Sequence, residues 1–147
     1  MRRSAMIPGG LIDTGAIVAI LDREDSWHSA CVQALESLRF PLLTTEAVLT
    51  EAFHLIGTSA YNLQRLWAFV LSGALTVKTL ADFDLLELRS LMTKYKDRPM
   101  DFADATLVHA ANCESLSVVL TIDHNDFETY RLKGNKKFTV RPVRDAR

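Results

Sequence analysis

The sequence predicts an α/β domain in which a mainly parallel β-sheet carries helices on both faces. Short apolar runs alternate along the chain with longer stretches of helical period, which is the order that successive βαβ units produce. The 147 residues are 48% hydrophobic, enough for one continuous core, and no repeat or low-complexity tract divides them. We therefore expect residues 1–147 to form a single domain.

The first half of the chain predicts two strands and three helices. A short strand is expected at 10–12, helices at 14–21 and 27–38, and a second strand at 42–44. Thr45 is a suitable N-cap for the next helix, because its hydroxyl can accept a hydrogen bond from a free backbone N–H, and Gly57 is suited to end that helix. The order of elements is that of a parallel sheet with helical crossovers.

The second half continues the same alternation. We expect a helix at 62–71, a strand at 75–77 and a long amphipathic helix at 81–95. Pro99 and Asp101 directly precede another helix start, in RPMDFADATLVHAAN. The apolar run SVVL predicts a buried strand that ends at Thr121, and the last strand is expected near 138–140.

Membrane spans, leader peptides and cysteine-based scaffolds are not indicated. No apolar run approaches the ~18 residues of a membrane span, and Pro8, Gly9 and Gly10 interrupt the apolar stretch near the N-terminus. Cys31 and Cys113 lack the paired spacing of a zinc site and the density of a disulfide scaffold, so we expect both to be small core residues. These features predict a soluble cytoplasmic protein.

Basic residues crowd the C-terminal end of a chain whose formal net charge is only -1. The cluster consists of Arg131, Lys133, Lys136, Lys137, Arg141, Arg144 and Arg147. Only Asp145 opposes it near that end. A solvated terminal face and a surface that contacts a polyanion are both compatible with this pattern.

Two predicted strands are each followed by an aspartate. Asp13 follows Leu11 and Ile12 in LIDTG, and Asp123 follows VVLTI. Because ligands of parallel α/β sheets gather beyond the carboxyl ends of the strands, both carboxylates are expected at the same edge. N-capping of the following helix is the alternative for each residue taken alone.

Asp104 belongs to the apolar face of its predicted helix, in line with Leu107, Val108 and Ala111 at 100° per residue. An inward carboxylate must be protonated, paired with Arg or Lys, or bound to a metal ion. Asp101, one helical turn earlier, is better explained as the N-cap. Capping does not explain why Asp104 lies on the apolar face.

Two glutamates of the third predicted helix are further candidates. The apolar stripe of this helix comprises Val48, Leu49, Ala52, Leu55 and Ile56. Glu51 lies at the margin of the stripe, from which it can lean toward a site, whereas Glu46 lies on the other side near the helix start. Periodicity does not choose strongly between the two.

Inward or edge-placed carboxylates without nearby basic residues predict a hard-cation site that takes Mg²⁺ or Mn²⁺. Zinc is less well supported, because among scattered histidines only His109 shares a helix face with a cysteine, Cys113. The chain lacks the glycine-rich phosphate loops, the nucleophile elbow and the H-E-x-x-H helix of other chemistries. Acid-and-metal chemistry is the mechanism that the sequence favours.

Four stretches together resemble the PIN-domain nucleases, particularly the VapC-like toxin branch. They are LIDTGAIVAIL with Asp13, VLTEA with Glu51, MDFADATLVHAA with Asp104, and TIDHNDF with Asp123 and Asp126. The resemblance covers nearly the whole chain. It implies a PIN-like three-layer α/β/α sandwich, an endoribonuclease dependent on Mg²⁺ or Mn²⁺, commonly a homodimer, and a toxin whose partner is a small antitoxin protein.

The resemblance also implies roles for individual residues. The metal ligands would be Asp13, Asp104 and Asp123. Glu51 would be the fourth catalytic acid, a choice that helical periodicity could not make. Additional site residues would be Asp126, Thr14 and Thr121. Independently of the resemblance, the basic C-terminal cluster is expected to contact RNA phosphate through Lys136, Lys137, Arg141 and Arg144.

Two other classes of protein remain as alternatives. A phosphotransfer domain of receiver or haloacid-dehalogenase type also carries aspartates at strand ends, but Gly15 stands where the latter needs a second aspartate. The receiver's acidic pair and late lysine are not evident either. A non-catalytic binding module of the same fold is the second alternative, and metal-dependent cleavage by the purified protein would exclude it.

The segment LQRLWAFVL is rich in apolar residues, including Trp67 and Phe69. We expect part of this surface to pair with a second subunit or with an antitoxin segment. Ordinary packing into the core is the alternative.

Overall fold

The computed structural model describes residues 6–146, which form a central β-sheet flanked by helices. The strands are β1 (Leu11–Ile12), β2 (Leu42–Thr45), β3 (Leu75–Lys78), β4 (Val118–Leu120), β5 (Arg131–Leu132), β6 (Lys136–Lys137) and β7 (Thr139–Arg141). The helices are α1 (Thr14–Leu21), α2 (His28–Ser37), α3 (Glu46–Leu55), α4 (Ala60–Leu71), α5 (Asp84–Lys94), α6 (Phe102–Glu114) and α7 (His124–Thr129). The predicted α/β class is confirmed.

The main sheet has five strands in the order β3-β2-β1-β4-β7, and all its neighbouring pairs are parallel. In register, Leu11 of β1 lies between Leu43 of β2 and Val119 of β4. These central strands are buried, which explains why they appear in the sequence as continuous apolar runs rather than alternating ones. The chain reverses its direction of sheet growth at β1, between β2 and β4. The carboxyl ends of these three strands therefore meet at the same edge.

Two side-chain caps fix the helices that border this edge. The Thr45 hydroxyl accepts a hydrogen bond from the Val48 N–H at 3.3 Å and begins α3. The Asp101 carboxylate accepts one from the Asp104 N–H at 2.7 Å and begins α6. Both caps were predicted. Helix α6 is buried from 103 to 111, so it lies within the core.

Several elements of the structure differ from the sequence prediction. The predicted helix at 81–95 begins at Asp84, because the Asp84 carboxylate accepts the Ala81 N–H and closes a turn before the helix. Helix α7 was missed, since six residues are too few to display a helical period. The antiparallel β5–β6 pair was also missed; its two-residue strands flank Gly134, whose positive φ of 75° suits glycine. Leu55, expected in the apolar stripe of α3, is exposed.

The two cysteines have different environments. Cys31 is fully buried in the core, as predicted, whereas the same prediction is wrong for Cys113, which lies exposed near the end of α6. Both are free thiols. Within the described part of the chain, no helix combines the length and apolar character needed to cross a membrane.

Candidate metal centre

An open cleft of about 380 Å³ at the carboxyl edge of the sheet brings the predicted acids together. Asp13 comes from the end of β1, Glu51 from α3, Asp104 from α6 and Asp123 from the segment after β4, and all four line the cleft. Asp101 lines it too, from the start of α6. Residues that are far apart in the chain thus share one acidic surface.

Asp13 both caps α1 and faces the cleft. Its Oδ1 accepts the Thr14 N–H at 2.8 Å, and its Oδ2 accepts the Thr121 hydroxyl at 3.1 Å. Burial nevertheless outweighs these two hydrogen bonds and raises the pKa of Asp13 to about 6. The same Thr121 hydroxyl accepts the Asp123 N–H at 3.0 Å, so it links the two aspartates that follow β1 and β4. Asp13 therefore does cap α1, but capping alone does not explain why it also faces the cleft.

Asp104 is only 7% exposed and faces inward, as its position on the helix predicted. Its Oδ2 accepts a hydrogen bond from the Tyr130 hydroxyl at 2.8 Å. None of the ion pairs among residues 6–146 involves Asp104, so the structure does not support the salt-bridge alternative. Burial, followed by the nearby charge of Asp13, raises the pKa of Asp104 to about 8.

Asp123 and Asp126 complete a close group of carboxylates. Each of Asp104, Asp123 and Asp126 offers an oxygen within 4.8 Å of the others. Asp123 stands at the N-cap position of α7 but makes no side-chain capping hydrogen bond, so capping does not account for it. Burial and then the neighbouring Asp126 carboxyl raise the pKa of Asp123 to about 6. On the outer side, the Arg98 Nε lies 3.8 Å from Asp126.

Glu51 lines the cleft from α3 while remaining exposed to solvent. Burial of its carboxyl, followed by the charge of Asp101, raises its pKa. Glu46 is also exposed but does not line the cleft. The geometry therefore distinguishes two glutamates that the helical period left undecided.

The donor set of this cleft fits a divalent hard cation. All the close donors are carboxylate oxygens, which select Mg²⁺ or Mn²⁺ over softer metals. Burial is the largest cause of the raised pKa values of Asp13, Asp104 and Asp123, nearby carboxylates add to it, and a bound cation would favour the charged form of each group. Among residues 6–146, no group of three metal-ligating side chains forms around His109, whose Nε2 lies 2.8 Å from Asp84 Oδ1 and 3.6 Å from the Cys113 Sγ.

Three residues at this site were not predicted from the sequence. Tyr130 was missed because helix α7, which brings it to Asp104, was not predicted. Asp101 was identified only as a cap, although its position one turn before Asp104 was a usable signal. Arg98 lies in a turn whose direction the sequence does not specify.

The basic residues predicted to contact RNA do not form one patch. Arg141 ends β7 in register with Leu120, so it lies at the same edge of the sheet as the acids. The Arg144 guanidinium bonds both carboxylate oxygens of Glu128, at 3.1 and 2.9 Å. Lys136 lines a separate hollow with Ser117, which precedes β4, and Lys137 is its neighbour on β6. The two lysines therefore lie toward the opposite edge.

Comparison with known proteins gives a family and several relatives. The PIN domain family model matches residues 10–132. Ribonuclease VapC26 of Mycobacterium tuberculosis (strain ATCC 25618 / H37Rv) is 27% identical over 134 residues, which cover 90% of this chain and 99% of the relative.

Two solved structures share the fold of this chain. One is VapC20 of Mycobacterium tuberculosis, described as a sarcin-ricin loop cleaving toxin. It has a TM-score of 0.71 and 17% identity, covering 80% of this chain and 93% of its own. The other is VapBC2 of Rickettsia felis, bound to a promoter DNA fragment. It has a TM-score of 0.64 and 15% identity, covering 89% of this chain and 97% of its own.

Proposed function

Because this chain belongs to the PIN domain family, we propose that it is a metal-dependent endoribonuclease that hydrolyses RNA phosphodiester bonds. The observation that carries the proposal is the group of carboxylates from Asp104, Asp123 and Asp126, whose oxygens lie within 4.8 Å of one another. Asp13 and Glu51 face the same cleft. The relative VapC26 is a ribonuclease by name and aligns over most of this chain, which supports RNA as the substrate.

The cation that this cleft would hold is Mg²⁺ or Mn²⁺, with Asp13, Asp104 and Asp123 as ligands and Asp126 beside them. When bound, the cation polarises a phosphate oxygen and lowers the pKa of a coordinated water. The chain's own residues orient the ligands. The Thr121 hydroxyl fixes Asp13, and the Tyr130 hydroxyl fixes Asp104.

Glu51 is the acid suited to accept a proton. It is an exposed carboxylate of the cleft that is not among the proposed metal ligands, and burial followed by the charge of Asp101 raises its pKa. Arg98 and Arg141 flank the acidic edge and would contact phosphates. The acids themselves repel RNA until a cation neutralises them.

The test is cleavage of a labelled single-stranded RNA by the purified protein, with Mn²⁺ or Mg²⁺ and with EDTA. Glu51→Gln is expected to lose cleavage by about 10²–10⁴-fold, the usual contribution of an acid–base group. Glu46→Gln, on the same helix but outside the cleft, is the matched control and should keep it. A protein that binds RNA but never cleaves it would instead be the non-catalytic module.

The proposal extends to a toxin of a type II toxin-antitoxin pair acting in the cytoplasm. VapBC2 of Rickettsia felis is the solved relative that supports a partner protein. Helix α4 of this chain exposes Tyr61, Trp67 and Leu71, which are suited to pairing with a second copy or with an antitoxin segment. Light scattering that finds a monomer at all concentrations, both alone and with the product of an adjacent gene, would contradict this part.

A further inference from the structure

A groove leads out of the acidic cleft and passes Phe102. Glu51 and Asp101 line the cleft and also a neighbouring hollow of about 470 Å³, which Phe102 lines as well. Phe102 in turn lines a hollow of about 550 Å³ against α5. We call these two hollows, which share Phe102 as a lining residue, the Phe102 groove. It is continuous with the site at which the proposed chemistry occurs.

Phe102 is unusually exposed for an aromatic side chain so close to buried acids. It is the first residue of α6 and is 45% exposed, although the residue that follows it is buried. The described residues give it no contact with another aromatic ring. A ring with a free face is a stacking surface for a nucleobase.

The far end of the Phe102 groove is cationic. Arg89, Met92 and Lys96 follow one another along α5 and its continuation at spacings of three and four residues, so they share a face that lines the groove. Arg89 and Lys96 are exposed, and within residues 6–146 neither is part of an ion pair. Met92 and Leu85 contribute the apolar part of this face.

We propose that the Phe102 groove binds the single-stranded RNA segment on one side of the scissile phosphate, with a base stacked on Phe102 and phosphates on Arg89 and Lys96. This inference rests on the proposed function. RNA is the occupant favoured because the groove opens into the acidic cleft and because its cations lie away from the acids. In the absence of a metal ion the carboxylates of the cleft repel a polyanion, whereas Arg89 and Lys96 attract it at the far end of the Phe102 groove.

The Phe102 groove also influences which RNA the protein selects as substrate. Stacking requires an unpaired base, so the groove selects single-stranded or looped RNA over a continuous duplex. A purine offers a larger face to the ring than a pyrimidine. The position that contacts Phe102 should therefore favour purines among the sites that the protein cleaves.

The experiment uses the full chain with Asp104→Asn, which keeps RNA intact during the measurement. Short single-stranded oligoribonucleotides carry 2-aminopurine at each position in turn, and binding is followed by fluorescence in Mg²⁺. One position is expected to be quenched. Phe102→Leu should abolish that quench and weaken binding by about 5- to 150-fold, the usual effect of removing one base–aromatic stack. Phe102→Tyr keeps the ring and should restore both.

Matched variants separate the groove from general surface effects. Phe83→Leu changes an even more exposed phenylalanine that does not line the groove and should leave binding unchanged. Arg89→Gln and Lys96→Gln should each weaken binding and lower the slope of log K against log salt by about 0.7. Lys94→Gln, on α5 but outside the groove, is their control. Thermal melts verify that each variant folds.

The outcomes distinguish failure of the groove from failure of the function. If RNA is bound and cleaved but Phe102→Leu behaves like the parent, the groove proposal is wrong and the ribonuclease stands. If Phe102→Leu changes only the mass measured by light scattering, the groove is a protein contact and the RNA proposal is overturned. If the unaltered chain neither binds nor cleaves RNA, both proposals are overturned.

Discussion

Neutralising Asp104 is expected to stabilise the metal-free protein. At pH 7 a group with a folded pKa of about 8 keeps its proton, whereas in the unfolded chain an aspartate near 3.8 has lost it. One pKa unit is worth 1.36 kcal/mol, so the difference at pH 7 is about 4 kcal/mol against folding. Asparagine carries no such penalty, and its amide oxygen can still accept the Tyr130 hydroxyl.

The sign of this effect gives it a distinctive pH dependence. Because the folded pKa of Asp104 is raised, its stabilising contribution is complete below about pH 3.8 and is lost as the pH rises toward 8. Asp104→Asn should therefore match the parent near pH 4. At pH 7 to 8, after allowing for relaxation of the site, it should be more stable by roughly 2–4 kcal/mol, which at this chain length is a rise in Tm of about 6–15 °C.

The assay is a set of thermal and urea melts in EDTA from pH 4 to pH 8, repeated with Mn²⁺. Glu36→Gln, an exposed charge on α2, controls for loss of one negative charge and should change little. With Mn²⁺ the parent should gain stability and Asp104→Asn should gain much less, because a proposed metal ligand has been removed. A drop of ~3–5 kcal/mol in metal-free stability with cleavage retained is what a structural ion pair would produce, and it would refute the argument.

Three further predictions concern the same edge of the sheet. Tyr130→Phe should lower Mn²⁺ affinity by about 10–100-fold in titration calorimetry, because Asp104 loses the hydroxyl that orients it. Tyr95→Phe is the control, since it removes a hydroxyl that accepts a hydrogen bond from a backbone N–H, and it should leave the affinity unchanged. Mn²⁺ affinity should rise from pH 6 to pH 8, because the raised pKa of Asp104 makes protons compete with the metal. Calorimetry in buffers of different ionisation enthalpy would measure the protons released on binding, and an affinity that does not change with pH would contradict this prediction. Arg141→Gln should weaken RNA binding and lower its salt slope more than Lys137→Gln, because only Arg141 ends a strand at the acidic edge; equal effects would refute that placement.

The sequence by itself predicted the fold class and the placement of Asp13, Asp104 and Asp123, whereas Glu51 was chosen over Glu46 only through the family resemblance. Continuous apolar runs predicted buried parallel strands, and an aspartate directly after a strand is carried to the carboxyl edge whatever the remaining packing does. The inward position of Asp104 followed from 100° per residue alone. These are local properties, which depend only on the period of the backbone and are legible in one sequence.

Tertiary structure decided how the site is assembled. The Tyr130 hydroxyl reaches Asp104 across 26 positions of chain, and Asp126 rather than Asp13 shares the closest group of oxygens with Asp104 and Asp123. The basic C-terminal cluster, one run in sequence, is divided because the β5–β6 pair turns Lys136 toward the opposite edge of the sheet from Arg141. Such contacts depend on how α7 and the hairpin pack against α6 and β4. The local sequence pattern does not predict that packing, so it is known only from the folded structure.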